Sequence, residues 1–260
     1  MAIKKVSMAC EKGGVGKSTT SINVADTLVN FNMKVLLVDC DGQGNIAQRY
    51  RVPLEFSEKY NMFSLIKNEI SGNGNIRECI YSTESGVDVI CGTRDYDILQ
   101  KELWGYENAS FILKKALEEV EDEYDYIIID TPPAKSIMLE NAIAASTGTV
   151  IVTEPEDFSS QGIIHFLDTV RRYSESNENF KIYGVLVNKN VANTTRCKNY
   201  ENVYESLRQY VNVYKETISR SEDISKAQIL RKSIYENKAA IKTQAEYVKF
   251  VAKLIFEKEV

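Results

Sequence analysis

The chain has 260 residues, of which 43% are hydrophobic and 27% charged, the balance of a globular protein with room for one large α/β core. No apolar run approaches the roughly 20 residues that span a bilayer, and the opening Met1-Ala2-Ile3-Lys4-Lys5-Val6 lacks the apolar core of a signal peptide, so a cytoplasmic protein with no membrane partner is expected. The net charge of −5 is unevenly spread: residues 1–179 carry 17 Lys/Arg against 28 Asp/Glu, and residues 180–260 carry 15 against 9, which points to an anionic partner for the C-terminal part.

In chain order, short runs rich in Val and Ile alternate with longer helix-like stretches. Strands are predicted over residues 3–9, 35–38, 87–90, 126–129, 149–152 and 182–187, with a possible last one over 211–218. Each run is too short for a buried helix and is β-branched in composition. Helices are predicted over 18–29, 109–123, 159–174, 199–210 and 239–257. The alternation predicts an α/β fold with a mostly parallel, doubly wound sheet flanked by helices on both faces. Ligands of such sheets sit beyond the carboxyl ends of the strands. The segment Ser71-Gly72-Asn73-Gly74-Asn75 is a turn-rich loop. With no linker and no internal repeat, residues 1–260 are expected to form a single domain. A strand beginning at Ile3 leaves no room for an N-terminal DNA-binding extension.

The five cysteines, Cys10, Cys40, Cys79, Cys91 and Cys197, are widely spaced with no Cys-x-x-Cys pair. They read as small buried hydrophobes in a reducing compartment and not as a zinc or iron–sulfur site. His165 is the sole histidine; at the start of a predicted helix it reads as structural.

Chemistry concentrates at Lys12-Gly13-Gly14-Val15-Gly16-Lys17-Ser18-Thr19. This stretch follows a strand and opens a helix, the context that makes a phosphate loop credible. Glycines let backbone N–H groups turn toward an anion with no Cβ in the way. The helix that follows adds about half a positive charge at its N-terminus. Lys17 is placed to neutralise the β- and γ-phosphates, and the Ser18 hydroxyl to ligate Mg²⁺. The fold class is therefore that of a P-loop NTPase, with ATP and Mg²⁺ as ligands. Asp130 ends an apolar strand and should emerge beside this loop as a metal-holding carboxylate. Asp39 and Asp41 follow another strand and flank Cys40, so both can face the same crevice. Phosphoryl transfer also needs a group that positions the attacking water. The segment Asn188-Lys189-Asn190-Val191 ends a strand where a base could be read, and Val191 stands where a guanine-reading Asp would be.

The loop with its additional Lys12 resembles the deviant Walker A motif of the ParA/MinD family. Val35-Leu36-Leu37-Val38-Asp39-Cys40-Asp41-Gly42-Gln43-Gly44-Asn45 is similar to that family's second acidic motif, with Gly42 where proline is usual. Ile127-Ile128-Ile129-Asp130-Thr131-Pro132-Pro133 resembles its Walker B strand. The resemblance implies that Lys12 reaches across a nucleotide-sandwich homodimer to the partner's ATP, that Asp41 positions the attacking water, that Asp39 supports the metal shell and that Asn188 contacts adenine. Thr217-Ile218-Ser219-Arg220 resembles, more distantly, the family's turn near the base.

Among family activities, the resemblance favours a ParA-type (Soj-like) partition ATPase. Such a protein is cytoplasmic and nucleoid-associated, dimerises on ATP, coats DNA without sequence preference, and hydrolyses ATP slowly until a ParB-like centromere-binding adaptor stimulates it. Candidate DNA contacts are Lys189, Arg196, Lys198, Arg220, Lys226, Arg231 and Lys232. The family often carries a basic residue where this chain has Glu222-Asp223. The alternative is a MinD-like or cargo-positioning ATPase acting on a membrane or protein scaffold. Against a membrane role, the last predicted helix reads as packed on the sheet, through a stripe of Ile241, Ala245, Val248, Ala252 and Ile255 widened by Tyr247, Val251 and Leu254. A third class, a metabolic P-loop enzyme acting on a small molecule, gives Lys12 no task.

Overall fold

The computed structural model describes residues 4–155, 160–175, 177–191 and 195–256, without the side chains of 4, 160, 195–199 and 256. The predicted ends at residues 3, 159 and 257, and the side chains of Arg196, Cys197 and Lys198, lie outside that description. The strands are β1 (Lys4–Ala9), β2 (Val35–Asp39), β3 (Ile80–Ser82), β4 (Val87–Ile90), β5 (Tyr126–Asp130), β6 (Gly148–Thr153) and β7 (Lys181–Val187). The helices are α1 (Lys17–Asn30), α2 (Asn45–Arg49), α3 (Leu54–Lys59), α4 (Met62–Ser71), α5 (Tyr96–Leu103), α6 (Ile112–Glu118), α7 (Ile137–Ala144), α8 (Ser160–Tyr173), α9 (Thr195–Leu207), α10 (Glu222–Leu230) and α11 (Ile241–Phe256).

The strands form one sheet in the order β3-β4-β2-β5-β1-β6-β7. Every pairing is parallel except β3 with β4. Parallel strands are buried on both faces, which explains the unbroken apolar runs. On β2, Val35 and Leu37 join one core with α1 and α11, while Leu36 and Val38 join another with α4 and α6. Tyr126 and Ile128 of β5 divide from Ile127 and Ile129 in the same way. Each such side chain contributes about 1.5–3 kcal/mol by leaving water. This sheet order sets the carboxyl ends of β2, β5, β1, β6 and β7 side by side along one edge.

Three sequence expectations need correction. Residues 211–218 are not a strand of the sheet. They form no continuous ladder with β7: the contacts are isolated bridges, Val185 with Val213 and, just beyond, Asn190 with Ser219, and single hydrogen bonds such as the Ile218 amide to the Val187 carbonyl at 2.9 Å. A register shift in the β6–β7 ladder falls at Gly184, whose φ is +148° and where an added Cβ would lie 2.9 Å from the Asn212 carbonyl oxygen; this distortion interrupts the edge that a further strand would extend. The helix predicted over 109–123 is divided into 3-10 turns at Ala109–Phe111 and Glu121–Glu123 flanking α6, with the Asn141 side chain holding the Ala109 carbonyl and the Leu113 amide. The buried face of α11 is also rotated from the predicted stripe. Thr243, Tyr247, Phe250, Val251 and Leu254 are buried, whereas Ile241 is 70% exposed. That face packs on α1, and of the predicted stripe Ile241 and Ala245 are exposed while Val248, Ala252 and Ile255 are half-buried. Among the described residues no helix is long and apolar enough to cross a membrane.

Candidate functional site

The loop between β1 and α1 turns through two left-handed glycines, Gly14 at φ +81° and Gly16 at φ +92°. Gly16 is also the N-cap of α1, so the helix starts with no side-chain cap and no acidic residue in its first turn. Its first N–H groups thus remain available to an anion. The loop is gripped from β7. Asn188 Nδ2 donates to the Val15 carbonyl at 2.9 Å, and the Lys189 ammonium donates to the Gly14 carbonyl. In a trans peptide the C=O and the following N–H point in opposite directions, so these bonds leave the amides of Val15 and Gly16 on the other side of the loop. The Lys17 ammonium, buried with its residue 5% exposed, donates to the Lys12 carbonyl at 3.0 Å. Burial lowers its pKa, opposed by Cys10, Asp130 and Asp41.

Asp39 and Asp130 close β2 and β5 and are direct register partners. Both are buried, and each has one carboxylate oxygen, Oδ2, with no hydrogen-bond partner. Asp39 Oδ1 accepts from the Asp41 amide at 2.9 Å, and Asp130 Oδ1 from the Ser21 hydroxyl at 2.9 Å. Burial raises Asp39 well above the usual carboxylate range, helped by the charge of Asp130. Burial likewise takes Asp130 up to about 6, against the opposing effects of Ser18, Ser21 and Lys17. Two adjacent buried carboxylates with orphaned oxygens fit a divalent cation, whose charge supplies the compensation that burial removes. Ser18 and Asp130, supported by Asp39, are the residues that would hold Mg²⁺. Asp41 is only half-buried; burial raises its pKa, opposed by the Gln43 amide, Lys17 and the Gly42 amide.

Glu154 completes the edge immediately after β6. Its Oε1 lies 3.6 Å from the Lys12 ammonium and its Oε2 3.0 Å from that of Lys189. Lys12 thus stands at the rim of the loop, one-third exposed and facing a carboxylate of its own chain. Lys189, read from sequence as a DNA contact, is engaged at the phosphate loop. The remaining described candidates, Arg220, Lys226, Arg231 and Lys232, are exposed. Lys226 pairs with Glu222 at 3.5 Å and Lys232 with Glu236 at 3.9 Å. Glu222 and Asp223 occupy the first turn of α10 beneath the Ser221 cap, where the helix dipole favours acidic residues. His165 is exposed, its ring nitrogen 3.1 Å from the Lys135 ammonium. Thr217 and Arg220 are tied to Asn190, the latter by its amide at 3.0 Å, which brings this turn beside Asn188.

Sequence reasoning passed over Glu154, Ser21, Gly92 and Tyr96. Glu154 carried a signal, since it follows an apolar strand directly, as Asp130 ends one. The other three act through contacts distant in sequence.

A parallel sheet that delivers a glycine loop, an uncapped helix and two buried carboxylates to one edge defines the class: this is a P-loop ATPase. The model of the AAA domain family matches residues 3–182. Sporulation initiation inhibitor protein Soj of Bacillus subtilis is 33% identical over 228 residues, covering 86% of this chain and 87% of Soj. A Borrelia burgdorferi protein described as a plasmid partition protein, solved with AMPPNP, is 26% identical with a TM-score of 0.79, covering 97% of this chain and all of that one. A Cyanothece McdA variant solved as an ATP complex has a TM-score of 0.83 at 21% identity over 99% of this chain and 98% of its own, a likeness of fold alone. The chain belongs to the ParA/MinD family of ATPases.

Proposed function

We propose that this chain is a partition ATPase of the ParA type, which dimerises on Mg-ATP, holds DNA without sequence preference and releases it on hydrolysis stimulated by a ParB-like adaptor, in the cytoplasm on the nucleoid. The observation that carries the reading is Lys12. Lys12 stands at the rim of the phosphate loop beside Glu154 while the inner ammonium is Lys17, and the family resemblance assigns this second lysine to a partner's nucleotide, which a homodimer supplies. The likeness to the Borrelia burgdorferi plasmid partition protein supports the choice of partition among the family's activities, and the net positive residues 180–260 support an anionic partner.

Within the site, the amides of the loop and Lys17 bind and orient the triphosphate. Lys12 of a partner subunit adds charge where it develops in the transition state. Asp41 accepts a hydrogen bond from the attacking water and fixes its line of approach. Ser18 and Asp130, with Asp39 in support, would hold Mg²⁺, which would neutralise charge on the phosphates. Asn188, whose side chain donates to the Val15 carbonyl and accepts from the Lys189 amide, would contact adenine as the family resemblance implies.

The test is sedimentation of the Asp41→Ala protein with and without ATP and with and without random-sequence DNA. Self-association and DNA retention that appear only with ATP, with retention falling steeply as salt rises, support the reading. Retention indifferent to nucleotide overturns it.

A further inference from the structure

The turn that carries Asp41 is held locally by the Asp41 amide, which donates to Asp39 Oδ1 at 2.9 Å, and by the Gln43 amide, which donates to Asp41 Oδ1 at 3.1 Å. Asp41 and Gly42 are half-buried and Gln43 is exposed, and glycine adds backbone freedom directly after the carboxylate. Further restraint comes from outside the turn. A Cβ on Gly42 would lie 3.0 Å from Tyr96 Cβ and 3.2 Å from the Thr93 carbonyl oxygen. A Cβ on Gly92 would overlap the Asp41 carbonyl and lie 3.0 Å from the Asp39 carboxyl carbon. The segment after β4 and the start of α5 therefore sit directly on the backbone around Asp41. From there the phenol of Tyr96 shares a hydrogen bond of 2.8 Å with Ser136 Oγ. Ser136 in turn caps α7, accepting from the Leu139 amide at 3.2 Å, at the far end of the segment that leaves Asp130. Burial keeps the phenol protonated, its pKa pushed up to about 12 with Asp41 among the contributing charges.

We propose that Tyr96 is a positioning residue for hydrolysis, clamping the turn 41–44 to the segment 131–136 and so fixing the Asp41 carboxylate relative to the phosphate loop. The proposal rests on the reading of Asp41 as the group that orients the attacking water. Its physical content is that an unrestrained glycine turn lets that carboxylate wander, and a displacement of about 1 Å at a reacting centre can cost on the order of 100-fold in rate.

Two variants of the 260-residue chain separate the parts of the clamp. Tyr96→Phe keeps the ring beside Gly42 and removes only the bond to Ser136, whereas Tyr96→Ala leaves Cβ in place and removes both the ring beside Gly42 and the bond. Two readouts are needed: amide hydrogen exchange of the nucleotide-free protein, and steady-state turnover with ATP affinity measured separately. In Tyr96→Ala, exchange across 41–44 and 131–136 should quicken several-fold while residues 10–19 stay unchanged. Its turnover should fall about tenfold with ATP affinity held within about twofold, and the substitution should add nothing to the loss in Asp41→Ala, since coupled residues are non-additive. Tyr96→Phe should quicken exchange over 131–136, which decides the matter if the alanine variant does not fold. Unchanged exchange in these segments overturns the clamp, whether or not hydrolysis is observed. Quicker exchange with parental turnover, or a loss additive with Asp41→Ala, overturns the positioning role. If Asp41→Ala itself turns over at the parental rate, the reading of Asp41 falls and the catalytic half of the proposal with it, while exchange still decides the clamp.

Discussion

The side-chain nitrogen of Asn188 lies 2.2 Å from where a Cβ on Gly16 would stand, and from there it holds the Val15 carbonyl at 2.9 Å. The end of β7 is thus built into the phosphate loop, and Gly16 is a glycine for two reasons at once, its φ of +92° and the amide pressed against it.

Gly14 and Gly16 consequently separate in their tolerance of alanine. Around Gly14 an added Cβ meets nothing within 4 Å, so Gly14→Ala bears only the left-handed penalty of roughly 1–2 kcal/mol. Titration with an ATP analogue should show binding weakened by about tenfold, since 1.4 kcal/mol corresponds to a factor of ten. Gly16→Ala must also displace Asn188, and binding should be lost. Equal affinities for the two variants would show that Asn188 does not shape the loop.

Asp41→Ala should bind ATP as the parent does and fail to turn it over, so that an ATP-bound dimer accumulates. The half-exposed carboxylate makes no contact that the fold depends on beyond the Gln43 amide at 3.1 Å, and its removal should leave the melting temperature within a few degrees. Size-exclusion chromatography with ATP reads the dimer directly. Parental hydrolysis by this variant would assign the water to another residue.

Glu154 is set to restrain both ammonium groups at the rim. Such partly exposed pairs are each worth about 0.2–1 kcal/mol, so Glu154→Gln should raise the acylation rates of Lys12 and Lys189 by roughly two- to fivefold in the nucleotide-free protein, measured by peptide mass spectrometry. Lys12→Ala should weaken ATP-dependent association and turnover more than ATP binding, whereas Lys17→Ala should abolish binding itself. Labelling rates indifferent to Glu154→Gln would reduce the carboxylate to a bystander.

How far the sequence foretold this site follows from where each residue sits. Asp39, Asp130 and Asn188 lie at or next to the ends of Val/Ile-rich runs, in a parallel sheet every such end falls on the same edge, and Lys17 was marked by the glycine loop it closes, so local pattern was enough to gather them. The helices between Asp39 and Val87 escaped because α2, α3 and α4 are only 5, 6 and 10 residues long, too short for a clear helical period. The antiparallel β3, of three residues, gave no signal either. Tyr96 gave no signal, since its meaning lies in a missing Cβ at position 42 and a hydroxyl at position 136. For a related reason the intrachain role of Lys189 was not legible: a lysine in a net positive region resembles a DNA contact, and its bonds to the Gly14 carbonyl and Glu154 appear only once the chain is folded.

The buried pair at the end of β2 and β5 makes stability depend on pH in a direction opposite to that of a salt-bridged carboxylate. Asp130 titrates at about 6 in the fold against 3.8 unfolded. Below about pH 4 it is protonated in both states and costs nothing. Between about pH 4 and 6 the folded state holds a proton that the unfolded state has lost, so stability falls as pH rises through that window, and above it the full penalty persists. At about 1.4 kcal/mol per pKa unit the penalty is on the order of 2–3 kcal/mol, with Asp39 raised in the same sense. Asp130→Asn keeps an acceptor for the Ser21 hydroxyl and removes the charge. The nucleotide-free Asn variant should therefore be more stable than the parent at about pH 8, the gap closing toward about pH 4, as read by urea unfolding at each pH. Mg²⁺ with ATP should reverse the order, stabilising the parent and not the variant, because the cation compensates the charge that burial penalises. A gap of constant size across that range, or a variant less stable than the nucleotide-free parent at about pH 8, would mean that the two carboxylates are satisfied within the fold and are not held ready for a metal.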